Sequence, residues 1–304
     1  MSDSLPPEVR DLLDQRSAAR EARDWASADA LRDRIRSLGW EPIDGADGST
    51  ARPALPDAAD DLESLLDEPP SLDASLVVSV DDHPEDLARL ADALRTHPPS
   101  VSWELVVVAN HVSDEVDPNA MLGGLPSTVL RTAARLGWAD ARNLGMRRSR
   151  GRVIALLDTS VEPTGDFLGP LLAVFDQPQV GIAGPWGVTS ADGRQFTEAG
   201  AGEVDAIEAY CLTVRREALR AVGGIDHRFR FYRNADLDLS FAVRDAGWRA
   251  VSTGELALRR HLHRGWTELP DQERDRLSRR NFYRFLKHWG DRPDLLLARR
   301  DAGG

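Results

Sequence analysis

Cysteine is nearly absent from this chain of 304 residues. It has one, Cys211, so no disulfide can form within it. Cys211 lies in an apolar stretch with Ala209, Tyr210 and Leu212 and has no histidine near it in sequence. A buried core thiol is therefore expected there, not a nucleophile. Long apolar runs are missing too. The longest candidates, around 167–175 and 153–157, are interrupted or short, against the roughly 20 residues that a membrane-spanning helix needs. The chain opens on the polar Met1, Ser2 and Asp3, unlike a secretory signal, and a reducing cytoplasm is the compartment expected. Excess positive charge is also lacking: 38 Lys and Arg stand against 50 Asp and Glu, a formal net charge of −12. That argues against broad attraction to nucleic acid or anionic lipid, which needs clustered cations, and leaves room only for a local basic face. The chain is 41% hydrophobic and 29% charged, which suits a sizeable core and a solvated surface.

Residues 5–39 have the pattern of two helices. Pro6 and Pro7 suit a helix start, and Leu12, Leu13, Ala19 and Ala22 have helical spacing. Asp24 is placed to cap a second helix whose apolar stripe is Ala28, Leu31, Ile35 and Leu38, with Gly39 as its stop. Residues 51–74 carry Pro53, Pro56, Pro69 and Pro70 among many carboxylates and have the composition of a solvated linker. From residue 75 onward, apolar strands alternate with amphipathic helices: strands at 76–80, 104–108 and 153–157, and helices at 84–96 and 139–149. The pattern predicts an α/β domain with a mostly parallel sheet covered on both faces. The domains expected are a helical module at 1–52, a linker at 53–74 and an α/β domain at 75–304. In such sheets ligands sit beyond the C-terminal ends of the strands, so Asp81, Asn110 and Asp158 are expected to line one cleft.

Ala141-Arg142-Asn143-Leu144-Gly145, followed by Val153–Leu157 and Asp158, resembles the core of the family-two GT-A glycosyltransferases, where a helix bearing Arg-Asn-x-Gly precedes the strand that delivers an Asp-x-Asp motif. Arg215–Leu219 with Val222–Asp226 is similar to the acceptor-side segment of that family. Asn234-Ala235-Asp236-Leu237-Asp238-Leu239 is similar to its Glu-Asp-x-Asp-Leu element, with Ala235 at the Glu position. His261 stands near the usual metal-ligand histidine, with His263 as the alternative, and Arg280-Asn281-Phe282 resembles the closing helix. The resemblance spans about 75–290 and rests on the order of the motifs.

It implies a GT-A, nucleotide-diphospho-sugar-transferase fold. It also implies transfer of a sugar from a nucleotide-sugar donor to an acceptor hydroxyl with inversion, with the acceptor unnamed. Asp236 takes the place of the general base, which must accept the hydroxyl proton. Asp81, Asn110, Arg135, Arg142, Asn143, Asp158 and Ser160 take donor-binding places. Asp158 and His261 (or His263) would hold a divalent cation, Mn²⁺ or Mg²⁺, against the diphosphate. This chain departs from the pattern in three places. Ser160 replaces the second Asp of Asp-x-Asp, Asn110 follows the second strand where an Asp for the base is usual, and Arg135 replaces an Asn and is able to pair with phosphate directly. These changes imply a weak or absent metal, or else a domain that has lost catalysis and serves as a nucleotide- or sugar-binding scaffold.

Arg16, Ala19-Arg20, Ala22–Ala26, Ala28–Asp33, Leu38-Gly39, Asp44 and Gly48 resemble the C-terminal segment of cysteinyl-tRNA synthetases, over about 8–50. Nothing of that enzyme's catalytic core accompanies it. The resemblance implies a docking module for a protein partner, or for RNA through Arg16, Arg20 and Arg23, whose charge Glu21, Asp29 and Asp33 dilute.

Overall fold

A computed structural model describes residues 6–38, 40–45, 48–53, 63–113, 115–132 and 134–300. The chain divides into two compact units, residues 1–61 and 62–304. No helix among the described residues is long and apolar enough to cross a membrane.

In the first unit, α1 (Pro7–Glu21) and α2 (Trp25–Ser37) form the expected helical pair. Arg23, at φ 60°, turns the chain between them, and the Asp24 carboxylate caps α2 by accepting from the Ser27 amide at 3.1 Å. Val9, Leu13 and Ile35 are buried between the helices, with Leu12, Leu38, Trp40 and Ala51 packed against them. Gly39, the stop residue, lies outside the described residues. A β-hairpin that the helical pattern did not announce completes this small core. In it β1 (Trp40–Gly45) pairs antiparallel with β2 (Gly48–Pro53), because two helices this short leave an apolar face that needs a cover. Arg16 is 6% exposed and so is withdrawn from any exposed basic face with Arg20.

The second unit begins β3 (Leu72–Val80), α3 (Pro84–Thr96), β4 (Trp103–Asn110), α4 (Pro118–Leu122), β5 (Ser127–Thr132), α5 (Trp138–Arg147), β6 (Gly151–Leu157) and β7 (Val161–Pro163). It continues α6 (Leu168–Ala173), β8 (Val180–Gly184), β9 (Gly187–Thr189), β10 (Thr197–Ala199), β11 (Gly202–Glu203), β12 (Ala206–Ile207), β13 (Cys211–Arg215) and α7 (Arg216–Val222). It closes with α8 (Ala235–Asp245), β14 (Arg249–Ser252), β15 (Leu258–Arg260), α9 (Arg264–Thr267), α10 (Asp271–Trp289) and α11 (Leu297–Arg300).

Eight strands form one sheet in the order β11-β14-β8-β13-β6-β3-β4-β5. Pairs β6-β3, β3-β4, β4-β5 and β8-β14 are parallel. β13 enters between β6 and β8 antiparallel to both, and β11 is antiparallel to β14. The Val, Leu and Ile runs are buried along β3, β4 and β6, as a sheet covered on both faces requires. The close approach of α5 depends on Gly145: a Cβ there would stand 2.4 Å from a Val77 methyl.

Residues 63–71, within the stretch whose composition suggests a linker, are bonded to this unit. The buried Arg216 guanidinium donates to the carbonyls of Leu65, Leu66 (3.2 Å) and Glu68 (3.1 Å), as well as to those of Ser149 and Gly151 at 3.0 Å each. Carbonyl dipoles thus compensate a charge that burial would otherwise penalise. A chain starting at Leu62 is therefore expected to be more stable than one starting at Ala74, by about 3 kcal/mol or more. Three hydrogen bonds to a charged group are lost in the shorter chain, at about 1.5–3 kcal/mol each before relaxation. Urea melts of the two truncated chains measure the difference.

Candidate functional site

Three strands deliver polar residues to one edge of the sheet. Asp81 follows β3, Asn110 ends β4 and Asp158 follows β6. Because β13 runs the other way, its N-terminal end reaches the same edge, with Cys211 opposite Leu157. That places Glu208, Ala209 and Tyr210 beside Asp158, whose amide donates to the Tyr210 carbonyl at 3.0 Å.

Two cavities meet at this edge, and Trp138, Asp158 and His263 line both. The smaller, about 140 Å³, is further lined by Asp81, Asp82, His83, Arg142, Ser160 and Arg264. The larger, about 450 Å³, is further lined by Glu208, Tyr210, Tyr232, Arg233, Asp236 and Phe282.

Asp158 divides its two oxygens between tasks. Oδ1 accepts from the Ser160 amide (2.9 Å) and hydroxyl (2.6 Å), which closes a tight turn. Oδ2 faces His263 Nε2 at 3.5 Å and Arg142 Nη2 at 3.8 Å. Burial opposes charge on Asp158, yet His263, Arg142 and the Ser160 hydroxyl outweigh it and hold the carboxyl well below the usual range. Arg142 is itself buried, which weakens its hold on the proton. Asp158 and Asp81 counter that loss, and its guanidinium lies 4.0 Å over the Trp138 ring. Burial raises the Asp81 carboxyl, against Arg142, the Asn110 amide and Arg135.

Asp236 stands at the start of α8, just after Asn234 at φ 64°, a backbone conformation that asparagine tolerates. Its carboxylate accepts from the amides of Ala209 and Leu237 at 3.0 Å each. Burial nevertheless pushes it above the ordinary range, with those amides and Arg233 working the other way. Glu208 is raised as well, first by burial and then by the neighbouring charge of Asp236, while Arg260, 3.6 Å from its Oε2, lowers it.

The structure thus gathers Asp81, Arg142, Asp158 and Ser160 at the smaller cavity and Asp236 at the larger. It gives three other expected donor residues different partners. Asn110 spends its amide on Asp81 (2.5 Å) and on the Leu136 carbonyl (3.2 Å), and its oxygen on the Leu136 amide (2.7 Å). Arg135 is paired with Asp82 at the surface. Asn143 donates to the Ile225 carbonyl (2.7 Å) and accepts from the Ile225 amide (2.9 Å). This fixes the turn at Gly224, which has φ +98° and where a Cβ would meet Asn143 Oδ1 at 2.8 Å. Of the two histidines, His261 bonds Glu162 at 2.5 Å. His263 is the one at Asp158, held between the rings of Tyr232 (4.7 Å) and Tyr210 (6.4 Å).

A further Asp-Asp-His group among the described residues, Asp226, Asp238 and His288, already holds a cation. Arg228 pairs with Asp226 at 2.7 Å and meets His288 at 2.9 Å, and Asp238 also accepts from Trp289 at 2.8 Å. Cys211 is buried and its thiol is pushed up to about 12 by burial, as a core thiol should be.

Sequence reasoning missed Glu208, Tyr210, Tyr232 and Arg233. A signal existed for the last two, in the aromatic and basic run just before Asp236. None existed for the first two, since they reach the site only because β13 is reversed.

Residues 75–238 match the family model described as glycosyl transferase family 2, and residues 2–40 match the cysteinyl-tRNA ligase anticodon binding domain. The pre-mycofactocin glycosyltransferase of Mycobacterium tuberculosis is 26% identical over 234 residues, 71% of this chain and 47% of that protein. The chain spans less than half the length of the curated relatives it matches over this region. Among solved structures, GalNAc-T7 with UDP, GalNAc and Mn²⁺ superposes with a TM-score of 0.59 at 14% identity, over 73% of this chain and 50% of that one. The mannosyltransferase PcManGT from Pyrobaculum calidifontis, in complex with GDP-Man and Mn²⁺, gives 0.51 at 17% identity, over 80% and 79%. These likenesses carry the GT-A fold.

Proposed function

The chain belongs to glycosyl transferase family 2, and from that premise we propose that it moves a sugar from a nucleotide-sugar donor to an acceptor hydroxyl with inversion at the anomeric carbon. The observation that carries this reading is the pair of cavities joined at Asp158, with a half-buried carboxylate, Asp236, in the larger one. The donor's diphosphate takes the smaller cavity, where the Arg142 guanidinium offsets its charge and the His263 ring stands beside it. The transferred sugar and the acceptor take the larger one.

The acceptor hydroxyl gives its proton to Asp236 as its oxygen bonds the anomeric carbon. The bond to the diphosphate breaks with its electron pair going to the leaving diphosphate oxygen, and that charge is left beside the Arg142 guanidinium. Burial makes Asp236 a stronger base than an exposed carboxylate, which brings its proton affinity nearer the working pH. Ser160 adds no charge, yet its hydroxyl fixes Asp158 Oδ1 and so aims Oδ2 at the shared point of the cavities. That gives Ser160 a place in a working site as well as in a binding-only scaffold.

GalNAc-T7 and PcManGT were solved with Mn²⁺, and here Asp158 Oδ2 with His263 Nε2 would hold a divalent cation that neutralises the leaving diphosphate. With one carboxylate oxygen and one imidazole the protein's share of such a site is small, and Arg142 supplies a fixed positive charge next to it. Chelation with EDTA is therefore expected to leave a measurable part of the turnover. Complete loss, restored by micromolar Mn²⁺, would show that Arg142 does not substitute for the metal.

The reading is tested by thermal shift against UDP-, GDP- and dTDP-linked sugars and by following nucleoside diphosphate release. A donor at 100 times its dissociation constant stabilises by about 2.7 kcal/mol. A folded protein that binds none of them and releases no nucleoside diphosphate refutes it.

A further inference from the structure

Three arginines from distant parts of the chain line the larger cavity, and none of these three lines the smaller: Arg194 on the β9–β10 turn, Arg233 just before α8, and Arg279 on α10. None of the three makes an ion pair or a side-chain hydrogen bond with a described residue. Arg233 only lies over the Trp266 ring, 5.3 Å from its centroid.

Their backbones, by contrast, are firmly placed. The Arg194 turn is closed by Asp192 Oδ1, which accepts from the amides of Arg194 (2.8 Å) and Gln195 (3.0 Å). Ser190 holds the turn to the buried Asp205 through a 2.8 Å bond. Asn281 of α10 donates to the carbonyls of Phe231 (2.6 Å) and Arg233 (2.9 Å), tying the Arg233 segment to the helix that carries Arg279.

Most carboxylates lining this cavity have another cation to face: Asp158 lies 3.8 Å from Arg142, and Glu198 and Glu208 lie 3.7 and 3.6 Å from Arg260. Arg233 lies within electrostatic reach of Asp236 and Glu208 without forming an ion pair with either. Three guanidinium groups are thus set around one cavity without a carboxylate in contact, although acidic residues outnumber basic ones in the chain, 50 to 38. All three side chains are exposed, so an anionic ligand in the cavity can take up their guanidinium donors.

We infer that the larger cavity takes a sugar-sized ligand bearing an anionic group, a carboxylate or a phosphate monoester, separate from the donor's diphosphate. This rests on the glycosyltransferase reading of the same site. The anion belongs either to the acceptor or to the transferred sugar, and the chemistry that recognises it is the same.

The test uses the full chain, saturated with UDP or GDP, whichever binds, so that the diphosphate place is filled. Glucose 6-phosphate, glucuronate and glucose are titrated against wild type, against each of Arg194→Ala, Arg233→Ala and Arg279→Ala, and against the triple variant. A charge-assisted hydrogen bond contributes about 1.5–3 kcal/mol, and 1.4 kcal/mol is tenfold. The anionic sugars are therefore expected to bind at least about tenfold tighter than glucose, and the triple variant is expected to lose that preference. In the second arm, UDP-glucuronate is compared with UDP-glucose. A tenfold preference that vanishes in the triple variant assigns the anion to the transferred sugar. Equal binding of the two donors, with the free anionic sugars still preferred, assigns it to the acceptor. Equal binding of glucose and its anionic forms, displacement of glucose 6-phosphate by the nucleoside diphosphate, or an intact preference in a folded triple variant overturns the inference. Failure of every nucleotide and nucleotide sugar to bind refutes the glycosyltransferase reading instead, so the two failures are distinguishable.

Discussion

Asp236→Asn is expected to lower turnover by about 10²–10⁴-fold, the usual contribution of general acid–base catalysis, while donor affinity hardly moves. The substitution keeps the shape and removes the basicity. Donor affinity is spared because Asp236 lines the larger cavity and not the smaller one assigned to the diphosphate.

The pH profile should carry the same residue's signature. Burial raises the Asp236 carboxyl, so kcat/KM should rise with pH on an acidic limb displaced upward from the roughly 3.9 of a free Asp. Stability moves in the opposite sense. A carboxyl whose folded-state pKa is raised contributes fully below its unfolded pKa, and that contribution is lost as pH rises through the folded value. The parent should therefore lose melting temperature relative to Asp236→Asn as pH rises through the raised folded-state pKa, although the single amide oxygen of Asn replaces only one of the two oxygens that accept from the Ala209 and Leu237 amides. Turnover and melting temperature measured on the same preparation check both. Near-parental turnover of Asp236→Asn with a working acceptor would move the base elsewhere, with Glu208 the next carboxylate in the cavity.

At Asp158 the expected loss is in donor binding. A donor present at 100 times its dissociation constant stabilises the parent by about 2.7 kcal/mol, and a 100-fold loss of affinity leaves about 0.4. Asp158→Asn is the variant to use first, because an amide oxygen still accepts from the Ser160 amide and keeps the turn. Asp158→Ala breaks that turn and leaves the buried Arg142 without its nearer carboxylate. The general cost of breaking a buried pair is about 3–5 kcal/mol. The linkage sign is opposite to that of Asp236. The Asp158 carboxyl is depressed, so its stabilising share is present above the unfolded pKa and is lost as pH falls through the folded one. The gap in acid stability between parent and Asp158→Asn should accordingly close as pH is lowered. An undiminished donor-induced shift in folded Asp158→Asn would remove Asp158 from the donor site.

Much of the fold was legible because its signals are local. The helix expected at 84–96 is α3 to the residue, and the strands expected at 76–80, 104–108 and 153–157 lie inside β3, β4 and β6. Proline at a helix start, an Asp cap and apolar runs buried on both faces act within a few residues of where they are written. The hairpin β1–β2 was not legible, since its strands carry no alternating apolar pattern and are called for by the exposed face of two short helices. Asn143 marks the limit of motif reading. Its neighbour Arg142 faces Asp158, but Asn143 points to Ile225 and holds a turn 82 residues away in sequence.

By itself, then, the sequence determined the α/β alternation, the resemblance to a sugar-transferring family, and the positions of Asp158 just past the end of its strand and Asp236 at the start of its helix. Those follow from periodicity and from residues adjacent in the chain. The tertiary structure decided which histidine stands at Asp158, that Asn110 and Asn143 serve the scaffold, and that Glu208 and Tyr210 belong to the site. The physical reason is strand direction. A parallel sheet presents only the C-terminal ends of its strands to one edge, and β13, running backward between β6 and β8, brings the residues before it to that same edge. No local pattern encodes that reversal, because it is chosen by how the sheet packs.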